Sequence, residues 1–330
     1  MQETVLSGIR STGNLHLGNY FGAIRNFVRM QHEYKCYFFV ADWHSLTTHP
    51  HPRDLHANVK TVLSEYLGCG IDPEVATLYI QSDIPEIAEL YLLMNMNAYI
   101  GELERTTTFK EKIRKQPDNV NAGLLTYPVL MASDIIIHKA NKVPVGKDQE
   151  QNIEMARRFA RRFNTIYETE YFPEPEGFSF TRNLVKIPGL DGSGKMGKSE
   201  GNAINLADDA KTIQKKVMSA VTDSGPTAMN QTPPEAIENL FQLMEVASAP
   251  ETVIHFRDQY AKCAIRYGDL KKQLAADIIQ LTAPIRERIL EIQADDAYLA
   301  KVVKMGAEKA RISAAATLKD VREIIGFRIF

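Results

Sequence analysis

The sequence predicts an α/β fold: a parallel-sheet domain over residues 1–207, followed by an all-helical C-terminal domain over residues 208–330. Three observations lead there. Short β-rich stretches alternate with helix-period stretches through the first half of the chain. Two of them, CYFFVAD (36–42) and ATLYIQS (76–82), are continuous apolar runs, the pattern of strands buried on both faces. After residue 208 strand candidates nearly vanish, and segments such as EAIENLFQLMEVAS and GDLKKQLAADIIQLTAPIRERILEI carry helical spacing.

In order along the chain, TVLSGI is β-rich, and residues 18–31 carry an apolar stripe at Tyr20, Phe21, Ile24, Phe27 and Val28, which predicts a helix. The 36–42 strand follows, then a helix over 53–68 that ends at Gly68. The 76–82 strand precedes a helix begun by Pro85 and running to about Asn97. Strand–helix–strand repetition implies right-handed crossovers and a parallel sheet. Such a sheet binds ligands outside the carboxyl ends of its strands, which collects Gly8, Asp42–His44 and Ser82–Asp83 on one rim.

Composition narrows the function classes. A formal net charge of −2 leaves nucleic-acid binding to local patches, such as KEKIRK (110–115) and RRFARR (157–162). No apolar run is long enough to span a bilayer, and the N-terminus lacks a basic-then-apolar secretion signal. The three cysteines (Cys36, Cys69, Cys263) stand far apart without CxxC spacing, so a disulfide frame or zinc knuckle is not expected and a cytoplasmic location is. His44, His49, His51 and His56 gather in one proline-broken stretch, but no HExxH or cysteine partner accompanies them, so no protein-bound metal is expected.

The stretch GIRSTGNLHLGNYFGAI (8–24) threads four glycines through the first turn of the chain. Gly8 and Gly13 permit a tight turn, and Gly18 a close approach at a helix start, where unpaired N–H groups suit a phosphate. An ordinary βα turn uses glycine too. The additional signal is His16 and Asn19, hydrogen-bonding side chains at the turn's exit.

HLGN (16–19) resembles the HIGH motif of class I aminoacyl-tRNA synthetases, and KMGKS (195–199) resembles their KMSKS loop. Between them GELERTTTFKEK (101–112), GLLTYPVLMASDIII (123–137) and VPVGKDQEQNIEMARRFARRFN (143–164) resemble bacterial tryptophanyl-tRNA synthetases, so the likeness extends over most of the chain. It implies a Rossmann-type catalytic domain and a helical anticodon-binding domain in a homodimer. It also implies formation of tryptophanyl-adenylate from L-tryptophan and ATP with Mg2+, then transfer to tRNA(Trp). Neither DNA nor a membrane is an expected partner.

Carried over residue by residue, the resemblance implies catalytic roles for His16, Asn19, Lys195 and Lys198. ATP contacts would come from Arg10, Ser11, Thr12, Gly18 and Asn19 at the first turn, from Gly146, Lys147 and Asp148 at the ribose, and from Ile187, Lys195, Met196, Gly197, Lys198 and Ser199 in the later loop. Asp134 would accept the indole N–H of tryptophan, Tyr127 and Gln149 would hold the ammonium and carboxylate, and Leu6, Gly8, His44, Met131, Val143 and Val145 would surround the ring. The residues agree with that chemistry. Tyr127, Met131 and Asp134 share one helix face, and a carboxylate inside VLMASDIII is costly unless paired. Carboxylate attack on a phosphate needs no protein nucleophile, only orientation and stabilisation of phosphate charge. Two lysines in GLDGSGKMGKSEGN, a stretch expected to be mobile, suit closure over a pyrophosphate leaving group.

The sequence departs from the family's usual pattern at Arg10 (Gln is usual), Ser11 (proline), Lys147 (Glu), Gly197 (the serine of KMSKS) and Leu6 (often aromatic). The alternatives weighed are a tyrosyl-tRNA synthetase, a small-molecule nucleotidyltransferase with a HIGH-type site, and a non-catalytic RNA-binding relative. Met131 and Asp134 after Tyr127 match the tryptophan enzyme better than the tyrosine one. The long helical domain argues against the second alternative, and the retained HIGH-like and lysine positions argue against the third.

Overall fold

The computed structural model describes residues 2–144, 146, 150–178, 187–197 and 200–327. β1 (Thr4–Arg10) enters the glycine turn, which leads into α1 (Leu17–Asn19), a π-helical turn (Tyr20–Ile24) and α2 (Arg25–Met30). The single helix expected over 18–31 is therefore interrupted: the Arg25 N–H reaches back to the Tyr20 carbonyl, which widens the turn. Wide turns of this kind cluster at functional sites.

β2 (Lys35–Ala41) passes directly into α3 (Asp42–Ser45), so Asp42 opens a helix instead of ending the strand. α4 (Pro52–Gly68) carries Pro52 in its first turn, and the His51 side chain accepts from the Arg53 N–H as a cap. Next come β3 (Thr77–Ile80), α5 (Pro85–Asn95), α6 (Ile100–Leu103), α7 (Thr107–Lys115) and α8 (Ala122–Leu125). α9 (Tyr127–Ile137), β4 (Lys142–Pro144), α10 (Glu150–Ile166) and β5 (Glu176–Phe178) complete the α/β part.

The five strands among the described residues are all parallel, in the order β3-β2-β1-β4-β5. The chain works outward from β1 to β3 on one side, then returns to place β4 on the other. That reversal opens a crevice at the carboxyl ends of β1 and β4, the place where an open α/β sheet binds its ligand.

Beyond β5 the described residues form no further strand. α11 (Ala210–Met218), α12 (Glu235–Ala247), α13 (Pro250–Ala261), α14 (Tyr267–Ala294) and α15 (Asp296–Ile325) follow. These helices are not set apart from the sheet: one apolar cluster joins Val5, Phe38 and Leu78 to Leu240, Phe241, Leu274 and Ile278. α15 covers the exposed edge at β3. Gly306 lies so close there that a Cβ would stand 1.7 Å from the Leu78 carbonyl oxygen. No helix among the described residues is long and apolar enough to cross a membrane.

Candidate active site

A cavity of about 310 Å³ occupies the crevice. Of the residues expected around it, Leu6, Gly8, Arg10, His44, Tyr127, Met131, Asp134, Val143 and Gly146 line it, together with Phe39. Alternation along β1 turns Leu6, Gly8 and Arg10 to one face. Gly8 pairs with Phe39 across the sheet, and a Cβ on it would stand 2.5 Å from that ring. Val145, Lys147, Asp148, Gln149, Lys198 and Ser199, all expected at the site, lie outside the described residues.

Asp134 sits on α9 with 1% of its surface exposed. Its two oxygens are held separately. Oδ2 lies 2.8 Å from His44 Nε2, and Oδ1 accepts from Gln81 Nε2 at 2.8 Å. Burial pushes its carboxyl above the usual range, while the His44 and Gln81 hydrogen bonds pull it back. His44, expected only as a wall of the ring pocket, thus also positions the acid, and its ring packs 4.4 Å from that of Tyr127.

The glycine turn is built on His16 and Asn19. The Asn19 N–H donates to His16 Nδ1 at 3.3 Å, and the His16 N–H donates to Asn19 Oδ1 at 3.1 Å, a reciprocal cap. Gly18 is required by this geometry: a Cβ there would stand 2.8 Å from His16 Cε1. Leu15 N–H donates to the fully buried Glu65 at 2.9 Å, and Leu17 N–H to the Ile204 carbonyl at 3.0 Å, tying the turn to the segment just past the lysine loop.

The described part of that loop carries its own hydrogen bonds. Asn202 Nδ2 donates to Asp191 Oδ1 (3.0 Å), Ser193 Oγ (3.0 Å) and the Lys195 carbonyl (3.2 Å), while its Oδ1 accepts from the Gly197 N–H at 2.9 Å. One buried amide therefore gathers the described part of the loop. Ile187 and Met196 turn their side chains into the core, leaving backbone groups as what they can offer a nucleotide. The Ser11 hydroxyl is buried against Ser45 Oγ at 3.0 Å and braces the turn, whereas Thr12 is exposed. A Cβ at Gly197 would meet only the Glu200 side chain, 2.8 Å away, and Gly197→Ser is expected to tighten ATP binding modestly in a titration. Unchanged or weaker binding would show that the departure is compensated.

Two features escaped the sequence reading. Gln81, directly after β3, is fully buried against Asp134. Lys112, inside the basic run KEKIRK, places Nζ 3.2 Å from the centroid of the Tyr127 ring, buried and without a hydrogen-bond partner. It is therefore not a surface cation for RNA. Arg10 Nε and Nη2 are likewise buried and unpartnered, so an arriving anion would meet a guanidinium with free donors. Burial, and then the charge of Arg10, push the Lys112 ammonium down to about 7. Between that value and the ordinary lysine range the folded chain binds fewer protons than the unfolded one, so this group makes stability rise with pH there. Lys112→Met is expected to raise the melting temperature, with a gain that grows as pH falls from about 10 towards 7. A gain independent of pH in thermal unfolding would contradict the assignment.

The arginines of RRFARR are also engaged within the chain. Arg161 pairs with Glu174, and Arg162 bonds Glu102 and the Asn97 carbonyl while lying over the Tyr99 ring. No group of three or more His, Cys, Asp or Glu side chains suited to a metal occurs among the described residues.

A family profile described as tRNA synthetases class I (W and Y) matches residues 2–283. The chain belongs to that family. It is an aminoacyl-tRNA synthetase, and its fold is the Rossmann-type fold of the family. A tryptophan–tRNA ligase of Porphyromonas gingivalis is 72% identical over 326 residues, covering 99% of this chain and 100% of the relative. One from Clostridium perfringens is 39% identical, covering 98% of each. Among solved structures, a tryptophanyl-tRNA synthetase of Campylobacter jejuni complexed with ADP and tryptophan superposes with a TM-score of 0.89 at 32% identity, covering 98% of this chain and all of that one. A tyrosyl-tRNA synthetase of Archaeoglobus fulgidus shares the fold, with a TM-score of 0.66 at 16% identity. Within a family of synthetases, the small-molecule nucleotidyltransferase and the non-catalytic RNA binder are set aside.

Proposed function

We propose that this synthetase is a tryptophan–tRNA ligase that works as follows. L-tryptophan enters the crevice with its indole N–H on Asp134. Its ammonium lies at Tyr127 and Gln149, and its carboxylate points towards the glycine turn. The observation that supports this reading most is the buried carboxylate of Asp134, held on two sides in a cavity whose lining is mostly apolar. An acceptor of that kind favours a ring bearing an N–H, because a ring without one leaves the acceptor unpaired.

ATP lies across His16–Asn19 with its ribose near Gly146, Lys147 and Asp148. The tryptophan carboxylate attacks the α-phosphate, tryptophanyl-adenylate forms, and pyrophosphate leaves. His16, Asn19 and the Gly18 amide stabilise charge on the phosphates as it builds, while Lys195 and Lys198 take up the leaving group, with Mg2+ arriving bound to ATP. Arg10 adds positive charge in the crevice. The 3′ end of tRNA(Trp) then receives tryptophan from the adenylate. Residues 1–207 carry this chemistry and residues 208–330 read the anticodon.

The working form is a cytoplasmic homodimer. In support, Leu92, Met96, Tyr99 and Ile100 are exposed apolar side chains within one short stretch, and Cys36, Cys69 and Cys263 are free thiols. Ile100→Asp is expected to shift sedimentation from dimer to monomer; an unchanged sedimentation coefficient would move the interface elsewhere. The reaction itself is tested by pyrophosphate exchange with each of the twenty amino acids, with and without magnesium. Exchange driven by tryptophan and dependent on magnesium is expected, and exchange driven by tyrosine would replace this reading.

A further inference from the structure

Asp134 does not stand alone in the cavity floor. It closes a ring of polar groups inside apolar packing. Gln81, fully buried at the carboxyl end of β3, donates from Nε2 to Asp134 Oδ1 at 2.8 Å. The same amide accepts the Trp43 backbone N–H on Oε1 at 3.1 Å. One residue further along α3, His44 Nε2 meets Asp134 Oδ2 at 2.8 Å. Both ends of the brace therefore return to α3, and the acid is caught between them.

The orientation of the amide follows from these partners. A backbone N–H can only donate, so the amide oxygen must face Trp43 and the NH2 group must face Asp134. One lone pair on each carboxylate oxygen is then engaged, and the carboxyl plane is fixed. The remaining lone pairs are left pointing along set directions.

We propose that Gln81 is a specificity-determining positioning residue. By fixing the plane and the ionised form of Asp134, it aims one free lone pair at the indole N–H of the substrate. The inference rests on the assignment of Asp134 to the indole N–H and extends it to a residue that does not touch the substrate. Gln81 acts on the ring N–H alone. It contributes nothing to the hydrophobic fit of the bicycle, nor to the phosphate chemistry at His16–Asn19.

The test compares tryptophan with β-(3-benzothienyl)alanine, which keeps the bicyclic shape and carries sulfur in place of the N–H. Pyrophosphate exchange is measured for both on the full-length enzyme, with melting temperatures taken in parallel. Gln81→Met, close in volume but without a donor, is expected to raise the tryptophan KM about tenfold or more. The KM of the sulfur analogue and kcat should change less than about twofold, so the preference for tryptophan collapses. Equal losses on both substrates would make Gln81 a merely structural residue, and no loss on either would remove the brace; each overturns the proposal.

Gln81→Glu supplies the rescue. Its carboxyl keeps an acceptor for Trp43 but sets a second acid against Asp134. The other titratable groups facing this spot are His44 and Asp42 on α3, Tyr79 on β3 and Tyr127 on α9. As pH falls, a proton shared between the two carboxyl groups restores a donor to Asp134, and tryptophan selectivity should recover. Selectivity of this variant that stays low and flat with pH counts against the brace. Asp134→Ala separates the two layers. If it leaves the tryptophan-to-analogue ratio intact, the indole assignment itself is wrong. If it collapses the ratio while Gln81→Met does not, only the role of Gln81 falls.

Discussion

Replacing Asp134 by alanine is expected to raise the tryptophan concentration for half-maximal pyrophosphate exchange about 30- to 150-fold, equivalent to roughly 2–3 kcal/mol. That is the scale of a hydrogen bond to a charged group in a site closed to water. The ATP requirement should stay within about twofold, because the proposed phosphate site at residues 16–19 is away from Asp134. The variant carries a second cost. His44 Nε2 and Gln81 Nε2 both lose their partner in a region with almost no solvent exposure, so the melting temperature should fall as well. Asp134→Asn keeps the volume and separates the two effects. Its stability should be restored further than its tryptophan affinity, since one oxygen remains to accept but the negative charge is gone. An unchanged tryptophan KM in Asp134→Ala would remove the acid from the substrate site.

The second large effect is expected at Gly18. A Cβ there would stand 2.8 Å from His16 Cε1 and 2.9 Å from Nδ1, distances that real Cβ contacts do not show. In Gly18→Ala the imidazole has to turn, and the hydrogen bond from the Asn19 N–H to Nδ1 is lost. The reciprocal cap that shapes the proposed phosphate site then opens. A loss of about 10²- to 10³-fold in adenylation rate is expected, comparable to removing one preorganised donor to a developing charge. Tryptophan affinity and melting temperature should change little, because Gly18 is only partly buried and outside the ring pocket. Single-turnover formation of adenylate, measured at saturating tryptophan, checks this. A rate within about threefold of the parent would show that the turn tolerates the displaced ring.

The parts of this molecule that are legible in its sequence are those governed by local rules. Apolar runs bounded by polar residues give β2 and β3 to within two residues at each end, because a strand buried on both faces leaves no room for alternation. Pro128 in the first turn of α9 places Tyr127 at its start and Asp134 on the same face as Met131. The cost of a carboxylate inside an apolar run indicates that Asp134 must be paired, though not with what.

What stayed hidden depends on partners distant in sequence. Gln81 continues the apolar run of β3 with no turn between, and a neutral polar side chain so placed has to find buried partners. That signal was available, but it does not name Asp134, 53 residues away. Lys112 lies among four other charged residues in 110–115, where periodicity reports a wet face and not one cation turned inward onto Tyr127. The return of α15 to the edge of β3 is likewise invisible locally, since Gly306 reads as a weak point in a helix until the Leu78 carbonyl is found beneath it. The π turn after Asn19 follows from no propensity; it reflects the packing of Phe21 and Ile24 into the core while the turn before them faces the crevice.

The central claim is that tryptophan and ATP meet at the carboxyl ends of β1 and β4, ring on Asp134 and phosphates on residues 16–19. A crystal structure with tryptophan and a non-hydrolysable ATP analogue tests it most directly. The account predicts the indole nitrogen within hydrogen-bond distance of an Asp134 oxygen, and phosphate oxygens on the Gly18 and Asn19 amides. An indole ring out of reach of Asp134, or a triphosphate lodged away from residues 16–19, would contradict it.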